Sequence, residues 1–151
     1  MIKLITIGTL KEEYLRKAQE EYKKRIEKYT NVEIIELKEE GLVEEQKAIK
    51  LEADKIKKYL NEKDYIITLE IEGKEYTSIE FAEKIRNIQI ENSNITFIIG
   101  GSYGLSETIK QKAKLHCSFS KMTFPHQLFR IILLEQIYRS FKINNHESYH
   151  K

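Results

Sequence analysis

Short apolar runs alternate along the chain with longer stretches in which apolar residues fall three and four apart. Residues 2–8 (IKLITIG) are an apolar run ending in glycine, which predicts a strand entering a turn. Residues 11–29 carry Tyr14, Leu15, Ala18, Tyr22, Ile26 and Tyr29 on one helical face, with Lys and Glu covering the other. The pattern then repeats. It predicts a strand at 32–37 (VEIIEL), an amphipathic helix at 42–60 with Ile49, Ala53, Ile56 and Leu60 on one stripe, and a strand at 65–71 (YIITLEI). Ser78 is placed to cap a helix reaching about residue 90. A strand at 95–99 (ITFII) runs into Gly100 and Gly101, and Ser106 with Glu107 opens a short helix to about residue 114. Residues 115–119 read as a fifth strand, and Pro125 falls in the first turn of a helix reaching about residue 143.

Strict alternation of strands and helices, with central strands apolar on both faces, predicts an α/β fold. The expected architecture is a mostly parallel sheet flanked by helices. No repeat, low-complexity tract or linker interrupts the 151 residues, so a single domain is expected. The last helix is unusual. Leu128, Phe129, Ile131, Ile132, Leu133, Leu134, Ile137, Tyr138 and Phe141 go nearly all the way round it. A small domain can bury one face of such a helix on its own sheet, so the pattern predicts a second copy over the other.

Composition narrows the class. The chain is 40% hydrophobic and 33% charged, as in a globular protein, and no run approaches the ~18 apolar residues of a membrane span. One cysteine, Cys117, rules out an internal disulfide, and the opening residues read as a strand with no leader pattern, so a cytoplasmic protein is expected. The net charge is only +2. Between residues 119 and 151, however, Lys121, Arg130, Arg139, Lys142 and Lys151 stand against Glu135 and Glu147, a balance of +3 that suggests a phosphate footprint.

Candidate chemistry concentrates in the same third. The loop from Gly100 to Gly104 (GGSYG) follows a strand and lets backbone N–H groups approach a ligand. Its spacing is neither the dinucleotide fingerprint nor a phosphate loop, and a plain tight turn also explains it. Residues 118–124 (SFSKMTF) offer backbone donors beside a few apolar side chains, the make-up of a small-molecule pocket. Alternatively, this is a capping loop with Thr123 serving the helix. His126 lies in the first turn of the last helix, where the positive helix end disfavours imidazolium. It is a candidate proton acceptor, or simply a packed histidine. His116 and Cys117 read as structural strand residues. No metal-ligand spacing and no Ser-His-Asp signature appears.

Four segments together carry a resemblance: IIGGSYGLS (98–106), SFSKMTFPHQL (118–128), RIILLEQIYRSFKI (130–143) and the terminal YHK of Tyr149, His150 and Lys151. With KLITIGTLKEEYL (3–15) and TLEIEGK (68–74), the chain resembles the RlmH family of SPOUT-class methyltransferases over essentially its whole length. The resemblance implies a single SPOUT domain with a deep trefoil knot near the C-terminus, and a homodimer. It implies S-adenosyl-L-methionine without metal, bound by Leu69, Gly100 and the loop of Phe119, Ser120, Lys121, Met122, Thr123 and Phe124. The implied reaction is methylation of N3 of a pseudouridine in helix 69 of 23S rRNA, in the 70S ribosome. His126, Tyr149 and His150 are the candidate catalytic groups, and Arg130, Arg139, Lys142 and Lys151 would face RNA. Two other readings remain open at this stage: a cofactor-binding ribosomal module without catalysis, and a ribose methyltransferase of tRNA.

Overall fold

The computed structural model describes all residues, Met1–Lys151. Strands and helices alternate as β1 (Ile2–Ile7), α1 (Glu13–Ile26), β2 (Val32–Leu37), α2 (Glu45–Lys57), β3 (Tyr65–Glu75), α3 (Ser78–Glu91), β4 (Ile95–Ile99), α4 (Glu107–Lys110), β5 (Leu115–Ser118) and α5 (His126–Asn144). The strands form one all-parallel sheet in the order β2-β1-β4-β3-β5, as the alternation predicts. α1, α3 and α5 pack together on one face, and α2 with α4 on the other. All five residues of the central β4 are buried, because helices cover both its sides. At the edge, β2 buries only Val32 and Leu37.

The differences from the sequence reading are local. The cap of α3 is Thr77, not Ser78: its hydroxyl accepts from Glu80 N–H at 3.1 Å while Glu80 Oε1 accepts from Thr77 N–H at 2.8 Å, a reciprocal capping box. Ser78 is the first helical residue, and its hydroxyl donates to Gln136 of α5. Pro125 is the N-cap of α5 with extended ψ, and no side chain, Thr123 included, caps that helix. α4 is one turn, opened by Ser106 as expected.

α5 also finds more cover within the chain than its pattern suggests. It lies in the groove between α1 and α3, so Leu133, Leu134 and Ile137 are fully buried and Ile131, Tyr138 and Phe141 nearly so. Each such side chain contributes roughly 1.5–3 kcal/mol. What remains outward is a narrow strip with Leu128 42% exposed, Ile132 half-buried, and the Glu135–Arg139 ion pair. The groove absorbs three sides where a flat sheet would absorb one.

The two ends of the sheet differ. At the amino edge Asp64 accepts from Thr96 at 3.1 Å and pairs with Lys3 at 3.5 Å, and the N-terminal ammonium donates to Ser93 O. The carboxyl edge opens into clefts between loops.

Candidate active site

β3 creates the main cleft. It pairs with β5 through Leu69 opposite Cys117, then loops out, and Lys74 meets the same Cys117 again. The looped residues 70–73 form one rim. At Gly73 the two backbones cross so closely that a Cβ would lie 2.7 Å from the Cys117 carbonyl carbon. A glycine inside a strand signals such an approach, although the apolar pattern itself stops at residue 71 and gives no strand over 72–75. Leu69, placed by resemblance at the end of the third strand, stands at the last regular pair before this loop.

The cavity behind the rim holds about 460 Å³, within the ~300–1,000 Å³ of small-molecule sites. Leu69, Gly100, Phe119, Ser120, Met122, Thr123 and Phe124 all line it, and His126 closes one end. Lys121 is the one member of the expected set outside the lining. Mixed apolar walls, loop N–H groups and three serines suit a nucleoside-bearing amino acid such as S-adenosyl-L-methionine.

Each loop has its own support. Between β4 and α4, Gly104 N–H donates to Gly101 O at 2.9 Å. Glu39 Oε1 accepts from both the N–H and the hydroxyl of Ser102, at 2.7 and 2.6 Å. Those two bonds hold the Glu39 carboxyl below its usual range, so it stays ionised. Between β5 and α5, Ser118 donates to Ser120 O and Met122 N–H to Ser120 Oγ. Phe119 sits edge-on to Phe81 and Phe129, and Phe124 stacks on Phe129.

His126 is half-buried, and its Nε2 is buried with no hydrogen-bond partner. Buried polar atoms are seldom left so, and an orphan at a cavity wall suits a ligand group. Glu70, on the rim, carries no signal in the sequence. It accepts from Thr68 at 2.6 Å, contacts His116 Nδ1, and lies 3.6 Å from Lys110. Burial alone would raise its carboxyl pKa, but the bonds from Thr68 and His116 outweigh that and lower it. His116, structural by its strand position, thus serves the cavity rim. Cys117 is buried, and burial pushes its thiol up to about 12, so it behaves as the small hydrophobe expected.

The C-terminal candidates lie elsewhere. The Tyr149 hydroxyl donates to Glu135 Oε1 at 3.0 Å and its ring meets Tyr138 edge-on. Burial and that bond push the phenol up to about 12. Arg139 donates to Glu135 and to His150 Nδ1 at 3.0 Å, with its guanidinium over the Tyr149 ring. Lys142 pairs with Glu147, which also accepts from Tyr29. The tail is therefore tied to α5, not loose. Glu135 lies nine residues beyond His126, about 13 Å along the helix, and none of Tyr149, His150 and Lys151 lines the cavity.

Arg130 differs most from expectation. Rather than standing out on the surface it is 3% exposed. It donates to Gln19 at 2.9 Å, Thr6 at 2.9 Å and Gly8 O at 3.0 Å, and pairs with Glu36. Its isolation in sequence gives no sign of this, because its four partners come from β1 and the turn after it, α1 and β2. No group of three or more His, Cys, Asp and Glu is clustered as metal ligands would be. No helix is long and apolar enough to cross a membrane.

Comparison with known proteins shows the family. The family model described as a predicted SPOUT methyltransferase matches residues 1–150. A ribosomal RNA large subunit methyltransferase H of Caldicellulosiruptor bescii is 50% identical across the full length of both chains, and that of Caldicellulosiruptor saccharolyticus 48%. The protein of that name from Streptococcus suis is 46% identical over 99% of each chain. Likeness of that extent, on a sheet whose carboxyl edge carries both matching loops, makes the chain a member of the SPOUT methyltransferase family, alongside the ribosomal RNA large subunit methyltransferases H.

Proposed function

We propose that this chain is a cytoplasmic, homodimeric methyltransferase that uses S-adenosyl-L-methionine to methylate N3 of a pseudouridine in helix 69 of 23S rRNA, in the assembled ribosome. The carrying observation is the 460 Å³ cavity in which the β3 loop-out and both motif loops meet against an unpartnered His126 Nε2. The relatives' names supply the RNA, and the family resemblance supplies the nucleoside and the trefoil knot.

When bound, the cofactor supplies a methyl group activated on sulfonium. The chain's residues have three tasks. Gly100 and the loop of Phe119, Ser120, Met122, Thr123 and Phe124 hold the donor from two sides, while Glu39 keeps the first loop in place through Ser102. Holding donor and nucleophile in line supplies a large part of the rate gain. The imide proton at N3 must be removed or its anion stabilised, and His126 Nε2 is the candidate already at the cavity. Tyr149 donates to Glu135 with its phenol pushed up to about 12, so in this arrangement it serves as a donor and not as a base. Because the tail is held at Glu135, about 13 Å along α5 from His126, and lines no part of its own cavity, Tyr149 and His150 act on substrate by reaching the partner's site across a dimer that uses the strip of Leu128 and Ile132.

The test is tritiated methyl transfer to ribosomes lacking the modification, with nucleoside mapping. Label in N3-methylpseudouridine is expected, and label elsewhere or none overturns the reading. Deleting residues 149–151 should lower single-turnover methylation at least tenfold with cofactor affinity by calorimetry within twofold. An unchanged rate removes the tail from the mechanism.

A further inference from the structure

The carboxyl edge carries a second cleft that the cofactor reading leaves unused. In open parallel sheets, ligands bind where helices following neighbouring strands depart to opposite faces. β4 sits between two such places. Its own following helix, α4, lies with α2 on one face, whereas α1 after β1 and α3 after β3 lie on the other. The β4/β3 side is the cofactor cavity. The β4/β1 side is a cleft of about 320 Å³ between the ends of β1, β2 and β4. Ile99 and His126 line both and form the wall between them.

The second cleft has different chemistry. Its side chains are mostly polar, with Thr9, Lys11, Lys38, Glu39 and Arg130 around His126. Lys11 and Lys38 are exposed, and neither ammonium has a carboxylate within ion-pair distance. Glu39, the one carboxylate, already commits Oε1 to Ser102. Arg130 is 3% exposed, yet its Nε has no partner, as is true of His126 Nε2. Those two residues are four apart on α5, hence on one face. Two uncommitted ammonium groups beside the unpartnered Arg130 Nε–H suit an oxyanion.

We propose that the β1/β4 cleft grips a backbone phosphate of the RNA strand next to the nucleotide being methylated, with Lys11 and Lys38 holding it. The proposal rests on the RNA substrate argued above. The other oxyanion at hand is the carboxylate of the cofactor, and the experiment separates the two. Lys11→Met/Lys38→Met is compared with wild type for binding of 70S ribosomes across a salt series, with Lys57→Met/Lys58→Met, on α2 and its C-cap at the far edge, as reference. S-Adenosylmethionine affinity is measured by calorimetry, which also reports folding. The cleft variant is expected to bind ribosomes at least tenfold more weakly, with a salt slope flatter by about 0.7 for each phosphate no longer neutralised and unchanged cofactor affinity. Ribosome affinity and slope equal to the reference variant overturn it, as does a loss confined to cofactor affinity, which would assign the cleft to the cofactor carboxylate. A wild type that binds ribosomes without methylating them overturns the enzymatic reading and leaves the cleft to be judged by its own binding data. A wild type that binds no ribosomes overturns both.

Discussion

The two loops that face each other across the 460 Å³ cavity are built on opposite plans. The β4–α4 loop is braced from outside. Glu39, from the segment after β2, takes two hydrogen bonds from Ser102, and Ser106 caps the next helix by accepting from Ile109 N–H. The β5–α5 loop holds itself. Its polar bonds run between Ser118, Ser120 and Met122, its aromatic rings rest on Phe81 and Phe129, and Met122 is 74% exposed. A ligand held between them meets one fixed wall and one that can adapt. Preorganisation on one side lowers the ordering cost of binding, and freedom on the other permits entry and release.

Breaking the fixed wall should have the largest effect. A Cβ at Gly100 would lie 2.8 Å from the Gly104 carbonyl carbon and 2.9 Å from Leu105 Cγ. Gly100→Ala therefore forces the loop apart against its own backbone, even with no ligand present. Urea denaturation should show a loss of about 2 kcal/mol, in the range of overpacked sites, with cofactor binding lost together with it. Wild-type stability with impaired binding would instead mean that only the ligand needs the space.

A smaller effect should follow from loosening the brace. Glu39→Gln keeps the shape and removes the charge that strengthens both Ser102 bonds. Cofactor affinity should fall about fivefold, with little change in melting temperature. The same contact sets a pH dependence. Because the folded carboxyl sits below its ordinary value of 4.5, its contribution is complete above that value and is lost as pH falls through the lower folded one. Wild-type affinity should hold above pH 4.5 and drop in more acid solution, and Glu39→Gln should remove the part of that drop due to the brace.

Least should happen on the adaptable side. Met122→Ala touches an exposed side chain, so stability should stay within about 0.5 kcal/mol, while cofactor affinity falls about twofold by calorimetry. A stability loss as large as that of Gly100→Ala would erase the distinction between the loops.

Much of this site is legible in sequence. Residues 98–106 and 118–128 stand out as turn- and serine-containing segments after apolar strands, and both line the cavity. The residues that support or extend the site do not. Glu39 and Glu70 are glutamates in a chain rich in them, and only a fold that sets Glu39 beside Ser102 and Glu70 beside His116 distinguishes them. Arg130 resembles its basic neighbours until β1, α1 and β2 close round it.

Period and turn chemistry, which act over a few residues, were enough to determine the α/β class, the element order and the apolar nature of α5. They are local properties, and each segment carries its own record of them. Tertiary structure alone decided that β3 loops out over β5, that α5 buries three sides in the α1–α3 groove, that the tail lies against Glu135 and not at its own cavity, and that β4 ends between two clefts. Each of those depends on which distant strand or helix becomes a neighbour. That choice is made by strand order and by burial summed over the whole chain, and no window of sequence contains it.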